Sequence, residues 1–150
     1  MADFAFIDPG VLRDGELALL VAEQRPAQPE KEYVPEYRLG MYVGDERVGT
    51  LSFRAVSTPL LEQVSGHIGY DVDEAFRGHR YAERACRLIL PLARQHGFRE
   101  LVITCNPDNI ASYRTCERLG ADMTGIVEVP EGHEMREKGE THKRRYVLTL

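Results

Sequence analysis

The 150-residue chain has no apolar run near the ~20 residues that a membrane-spanning helix needs. Its start, Met1-Ala2-Asp3-Phe4, lacks the cationic segment of a secretory leader, so a cytoplasmic protein is expected. Cysteine is scarce. Cys86, Cys105 and Cys116 are odd in number and hold no C-x-x-C pair, which argues against a disulfide framework and against a cysteine-based zinc site. No G-x-x-x-x-G-K-[ST] loop and no G-x-G-x-x-G fingerprint occurs, so the P-loop and Rossmann modes of nucleotide binding have no support. There is no internal repeat and no break in composition, and this length suits one domain.

What is present is an uneven charge distribution under a net charge of −5. Residues 1–36 carry eight acids (Asp3, Asp8, Asp14, Glu16, Glu23, Glu30, Glu32, Glu36) against Arg13, Arg25 and Lys31. Residues 77–99 carry Arg77, Arg80, Arg84, Arg87, Arg94 and Arg99 against Glu83 alone. An acidic chain with one arginine-rich segment points to a specific anionic ligand rather than to nucleic acid, although a solvated helix face would look the same.

The pattern of apolar residues divides the chain into elements. Leu17 to Ala22 is a short apolar run, and residues 24–36, with three prolines, read as a loop. Tyr37 to Phe53 reads as a hairpin turning at Gly44-Asp45, with Gly49 where a bulge or a close backbone approach is tolerated. Ile68, Tyr70 and Val72 alternate on one face of a strand. The period then changes: Ala82, Ala85, Cys86, Ile89 and Ala93 form a helical stripe closed by Gly97, with Pro91 inside it. Leu101 to Thr104 suits a central strand, Asn106-Pro107 a helix start, and Gly120 the end of that helix. Two more strands, 122–129 and 143–150, flank a charged loop from Glu131 to Glu140. The expectation is a mixed sheet with helices packed on it.

The segment from Asp71 to Ala82 joins a strand to a helix. Such a junction leaves the first N–H groups of the helix unpaired in a positive dipole field. That field contributes only about 0.3–1 kcal/mol, so a phosphate needs several convergent N–H groups and a cation as well. Arg77, Gly78 and Arg80 supply two guanidiniums and a flexible backbone position. A pyrophosphate site and an ordinary strand-to-helix turn both fit these residues.

Arg77-Gly78-His79-Arg80-Tyr81-Ala82 resembles the acetyl-CoA pyrophosphate loop of the GNAT N-acetyltransferases, usually Gln/Arg-x-x-Gly-x-Gly/Ala. The run from Asn109 through Ser112 and Cys116 to Gly120 resembles that family's next helix. Ile68-Gly69-Tyr70 and the Asn-x-x-Ser form resemble its ribosomal-protein N-acetyltransferase branch.

The resemblance implies an α/β (α+β) fold: a mixed, mostly antiparallel sheet of about six or seven strands with helices on both faces. It implies transfer of acetyl from acetyl-CoA to a primary amine, small molecule or peptide, by direct attack in a ternary complex, with no metal, nucleic acid or membrane involved. Tyr70, Asp71 and Val72 would pair with the pantetheine arm. The N–H groups of Arg77, Gly78, His79, Arg80, Tyr81 and Ala82 would hold the pyrophosphate, and Asn109 and Asn106 would bind pantetheine. Ser112 would bind the coenzyme sulfur or relay through water, or is a small residue that lets the cofactor pass.

Two positions depart from the family pattern. Arg80 replaces a glycine, which costs about 1–2 kcal/mol if the backbone is left-handed there. Cys116 replaces the tyrosine that returns a proton to the leaving thiolate. It is either a replacement acid or packing, and a non-catalytic acyl-CoA-binding module is the alternative function. His67, Asp71, His133, Glu134 and His142 are candidate bases, and in this family the base is often a water chain. The 24–36 loop occupies the place of the family's N-terminal helices, so the acceptor pocket is expected to be open or completed across a homodimer.

Overall fold

A computed structural model describes residues 4–150; Met1, Ala2 and Asp3, which entered the charge and leader arguments, lie outside the described residues. The strands are β1 (Leu12–Asp14), β2 (Leu17–Arg25), β3 (Glu36–Val43), β4 (Glu46–Arg54), β5 (Ile68–Val72), β6 (Glu100–Cys105), β7 (Asp122–Glu128) and β8 (His142–Thr149). They form one sheet in the order β1-β2-β3-β4-β5-β6-β8-β7, antiparallel at every junction except β5–β6. The helices are α1 (Tyr81–Gln95), α2 (Ile110–Arg118) and the short α3 (Glu134–Glu137).

The sheet has eight strands, one more than the upper expectation. The extra one is β1, which has three residues and one apolar side chain, Leu12, too little for an alternation to show. It exists because Gly15, at φ 57°, lets the chain reverse so that Asp14 pairs with Leu17. The start of α2 also differs from expectation. Asn106-Pro107 does not open the helix; Asn109 is its N-cap, accepting a hydrogen bond from the Ser112 N–H at 3.2 Å. The Asn106 side chain instead accepts from the buried Lys143 ammonium at 2.7 Å, which leaves it unable to cap.

Alternate residues of the strands converge on one face. Tyr37, Leu39 and Met41, Leu51 and Phe53, Ile68, Leu101 and Ile103, and Tyr146 and Leu148 are all buried there. The α1 stripe of Ala85, Cys86, Ile89, Leu92 and Ala93 covers them, with Cys116 and Leu119 from α2. α1 runs unbroken through Pro91, whose missing N–H leaves the Arg87 carbonyl without its helical donor. The opposite face carries a π-helical turn, Leu61–Ser65. The Val64 carbonyl accepts from the Thr104 hydroxyl at 2.7 Å, and the Glu62 carbonyl from Arg145 at 2.7 Å. Between β2 and β3 the chain makes a single 3-10 turn, Pro29–Lys31, and no α-helix.

Gly49 sits where β4 bulges against β3, and a Cβ there would lie 2.5 Å from the Asp71 carbonyl oxygen of β5. Gly49→Ala should therefore push β4 from β5 and lower stability by about 1–3 kcal/mol. Urea unfolding would register this as a lower midpoint.

His67 ties this region to β6. Its Nδ1 accepts from the Val102 N–H at 2.9 Å, so the ring proton is on Nε2, 2.6 Å from the Ser57 hydroxyl. Burial is the main cause that pushes the His67 imidazole down from 6.5 to about 4. Between those values the unfolded chain holds a proton that the native state does not, so stability present above pH 6.5 is lost as pH falls. At about 1.36 kcal/mol per pH unit the loss approaches about 3 kcal/mol. Denaturant unfolding from about pH 7 to about pH 4 should show this slope, flattened in His67→Gln.

Candidate active site

β5 and β6 share one residue pair, Ile68 opposite Ile103. Beyond it β5 follows β4 as far as Val72, and β6 follows β8 as far as Cys105. Each strand keeps its antiparallel partner, so a wedge opens between them. The Arg54 N–H donates to the His67 carbonyl and the Asp73 N–H to the Val48 carbonyl, which sets the alternation along β5. Odd-numbered residues of β5 turn their backbone groups to β4; Tyr70 and Val72 turn theirs into the wedge. Asp71 pairs through its backbone with Thr50 of β4, and its side chain is exposed.

At the open end the chain makes a 3-10 turn, Glu74–Phe76, and then two left-handed residues, Gly78 (φ 98°) and Arg80 (φ 59°). The arginine thus occupies the strained backbone state that a glycine would adopt freely. The first helical bond runs from the Arg84 N–H to the Arg80 carbonyl at 3.0 Å, so the N–H groups of Tyr81, Ala82 and Glu83 precede it and point out of the helix end. The Arg80 side chain is exposed and caps nothing. Arg77 folds back: its Nε donates to the Val72 carbonyl at 3.0 Å, and the guanidinium lies 4.0 Å from the Asp71 carboxylate. His79 stacks on Tyr81, ring centroids 5.1 Å apart.

Much of the arginine charge is already paired. Arg84 donates to Asp14 at 2.7 Å and grips Glu16, whose carboxyl it holds down at about 2, chiefly by hydrogen bonding. Glu83 binds Arg118 of α2 at 2.8 Å, and Arg87 donates to the Arg118 carbonyl at 2.8 Å. These bonds pin the start of α1 to the β1–β2 turn and to α2.

Opposite β5, Ser112 and Cys116 are four residues apart and share one face of α2. The Ser112 Oγ lies 3.0 Å from the Tyr70 hydroxyl, and the Cys116 Sγ lies 3.7 Å from the same oxygen. Cys116 is fully buried, which pushes its thiol up to about 12, and burial likewise raises the Tyr70 phenol above its ordinary value. Tyr113 lies under the Arg144 guanidinium at 4.4 Å. The Arg144 Nε is buried without a partner, while its Nη2 donates to the Pro107 carbonyl at 3.0 Å.

Four of the five candidate bases make hydrogen bonds. His67 uses both ring nitrogens, the His133 Nδ1 caps α3 by accepting from the Met135 N–H at 3.1 Å, and Glu134 accepts from the Tyr33 hydroxyl at 3.0 Å. The His142 Nδ1 is 2.9 Å from the Thr141 hydroxyl. Among the described residues no group of three or more His, Cys, Asp or Glu is arranged to hold a metal ion.

The fold thus brings Tyr70, Ser112 and Cys116 together beside the wedge that Val72 and the 77–82 turn bound, while Asn109 caps α2 and Asn106 is held by Lys143. Two side chains escaped sequence reasoning. The Tyr70 phenol was legible in principle, since Ile68, Tyr70 and Val72 alternate toward the face that α2 covers. Arg144 had no local signal, because its neighbours come from α2 and the 105–109 turn.

Residues 9–122 match the family model described as an acetyltransferase (GNAT) domain. An uncharacterized N-acetyltransferase, YnaD, of Bacillus subtilis (strain 168) is 31% identical over 74 residues, which span 45% of this chain and 41% of that protein. A structure of RimL, a ribosomal L7/L12 alpha-N-protein acetyltransferase, in complex with coenzyme A superposes with a TM-score of 0.66 at 17% identity, over 94% of this chain and 98% of that one. The ribosomal-protein-S5-alanine acetyltransferase of Vibrio fischeri gives 0.67 at 11% identity, over 93% and 96%. The structural likenesses establish the shared fold, and the family model, covering most of the chain, establishes membership: this chain belongs to the GNAT acetyltransferase family.

Proposed function

We propose that this chain transfers the acetyl group of acetyl-CoA to a primary amine by direct attack in a ternary complex. The observation that carries the reading is the wedge itself. The wedge-facing backbone groups of Tyr70 and Val72, the Val72 carbonyl held by Arg77, lead straight to a turn whose N–H groups stand at a helix start. A pantetheine arm has amide groups that can pair with Tyr70 and Val72 as a short additional strand. The pyrophosphate would then meet the N–H groups of the 77–82 turn, with Asn109 and Asn106 toward the pantetheine. Arg77 must release the Val72 carbonyl as the arm enters, which frees its guanidinium for the phosphates.

With the thioester so placed, the neutral amine attacks its carbonyl carbon, the N–C bond forms and the C–S bond breaks. The electron pair leaves on sulfur, which takes a proton from Ser112; water takes the proton that the amine sheds. The fully buried Cys116 stands behind Tyr70 as packing rather than as the acid. The acceptor approaches over the polar sheet face, between the loop before β3 and the loop after β7, which the Tyr33–Glu134 hydrogen bond joins. With one 3-10 turn where helices are usual, this pocket is open, or completed by a second copy, and the enzyme works in the cytoplasm.

Calorimetry with coenzyme A should show saturable binding, and free thiol should appear from acetyl-CoA with a panel of primary amines and peptides. Binding with no turnover across the panel would leave a non-catalytic acyl-CoA module. Ser112→Ala should lower kcat about a hundredfold with little change in the KM for acetyl-CoA. Arg80→Gly should raise stability by about 1 kcal/mol and weaken coenzyme A binding severalfold, because it removes both the left-handed strain and a cation at the phosphate turn.

A further inference from the structure

Tyr70 presents its backbone to the wedge and its ring to α2. Its hydroxyl oxygen lies 3.0 Å from the Ser112 Oγ, 3.2 Å from the Ser112 carbonyl and 3.7 Å from the Cys116 Sγ. We propose that Tyr70 is the positioning residue for Ser112: its phenol donates to the Ser112 oxygen and so leaves the serine proton free to point at the departing sulfur. This rests on the reading of the wedge given above.

A phenol has one proton, and its destination decides the orientation of the serine. Given to the Ser112 carbonyl, it would invite the serine hydroxyl to turn back onto the phenol oxygen, away from the wedge. The helix interior already supplies that carbonyl with the Cys116 N–H four residues on, whereas the Ser112 Oγ is the nearer acceptor. The serine backbone is also fixed, since its N–H is held by the Asn109 cap. Behind the phenol, Cys116 keeps its proton and offers a weak S–H donor to the tyrosine oxygen. A buried phenol stays protonated, so it remains a donor at every pH at which the enzyme is folded. As the C–S bond breaks and sulfur takes the serine proton, the developing negative charge on the Ser112 Oγ is met by the Tyr70 hydrogen bond. Water then returns a proton to Ser112, and Tyr70 keeps its own.

The test needs no acceptor. In the complex with coenzyme A, the thiol is titrated through the ultraviolet absorbance of its thiolate. A serine proton aimed at sulfur favours the thiolate, so Ser112→Ala and Tyr70→Phe should each raise the ionisation pH by about one unit, a tenfold change, and the double variant should move no further than either single one. Dissociation constants for coenzyme A at low pH should stay within about twofold of the parent, which separates this effect from loss of the binding site. Fluorotyrosine at position 70 keeps the ring while strengthening the donor, and it should lower the ionisation pH. A parent-like titration in Tyr70→Phe, or shifts that add in the double variant, would overturn the proposal. Failure of the parent chain to bind coenzyme A would instead remove the reading of the wedge, and this inference with it.

Discussion

Only one residue pair joins β5 to β6, and that parting governs the rest of the molecule. Two antiparallel blocks, β1–β5 on one side and β6–β8 on the other, each follow their own ladders and meet at the Ile68–Ile103 pair, beside the His67–Val102 hydrogen bonds. Antiparallel ladders pair more favourably than parallel ones, so each central strand follows its outer neighbour. A buried sheet cannot leave backbone donors and acceptors idle without cost, and the wedge is where this chain leaves them open. Gly49 belongs to the same arrangement: with no Cβ it lets β4 approach the Asp71 carbonyl, which holds β5 to β4 rather than to β6.

Charge reinforces that geometry. The acidic N-terminal third and the arginine-rich segment look unrelated in sequence, yet Arg84 joins them through Asp14 and Glu16. The net result is not a bare cationic surface. Arg84 and Arg87 act in structure, Arg77 rests on the strand end, and Arg80 remains exposed in the 77–82 turn. Because the pairs hold the first turn of α1 against the β1–β2 turn and against α2, the helix start is presented in a fixed orientation.

The side of the wedge lined by α2 is governed by burial. Cys116 is sealed into the core, while Tyr70 and Ser112 are both partly covered. Burial keeps the thiol and the phenol protonated. The opposite face of the sheet is thinly covered by comparison, with a π-helical turn and two loops over it.

The hairpin, the alternation of β5, the helical stripe of α1 and the turn at 77–82 were all written in local pattern, because period-2 and period-3.6 burial and left-handed turns leave marks within a few residues. The left-handed strain at Arg80 was legible as a consequence of its position. By contrast, β1 has three residues, too few to carry a period, and it became a strand only because β2 was there to pair with. Asn106 read as a cap until Lys143, 37 residues away, claimed its side chain and moved the helix start to Asn109. Sequence set Cys116 apart from Cys86 and Cys105 but left open whether it is an acid or packing, and its burial against Tyr70 is visible only in the tertiary structure. Sequence by itself determined the main strands and helices and the strand-to-helix turn at 77–82; only the tertiary structure decided which protic groups meet, because a hydrogen bond depends on ångström-scale distances between elements that local periodicity does not encode.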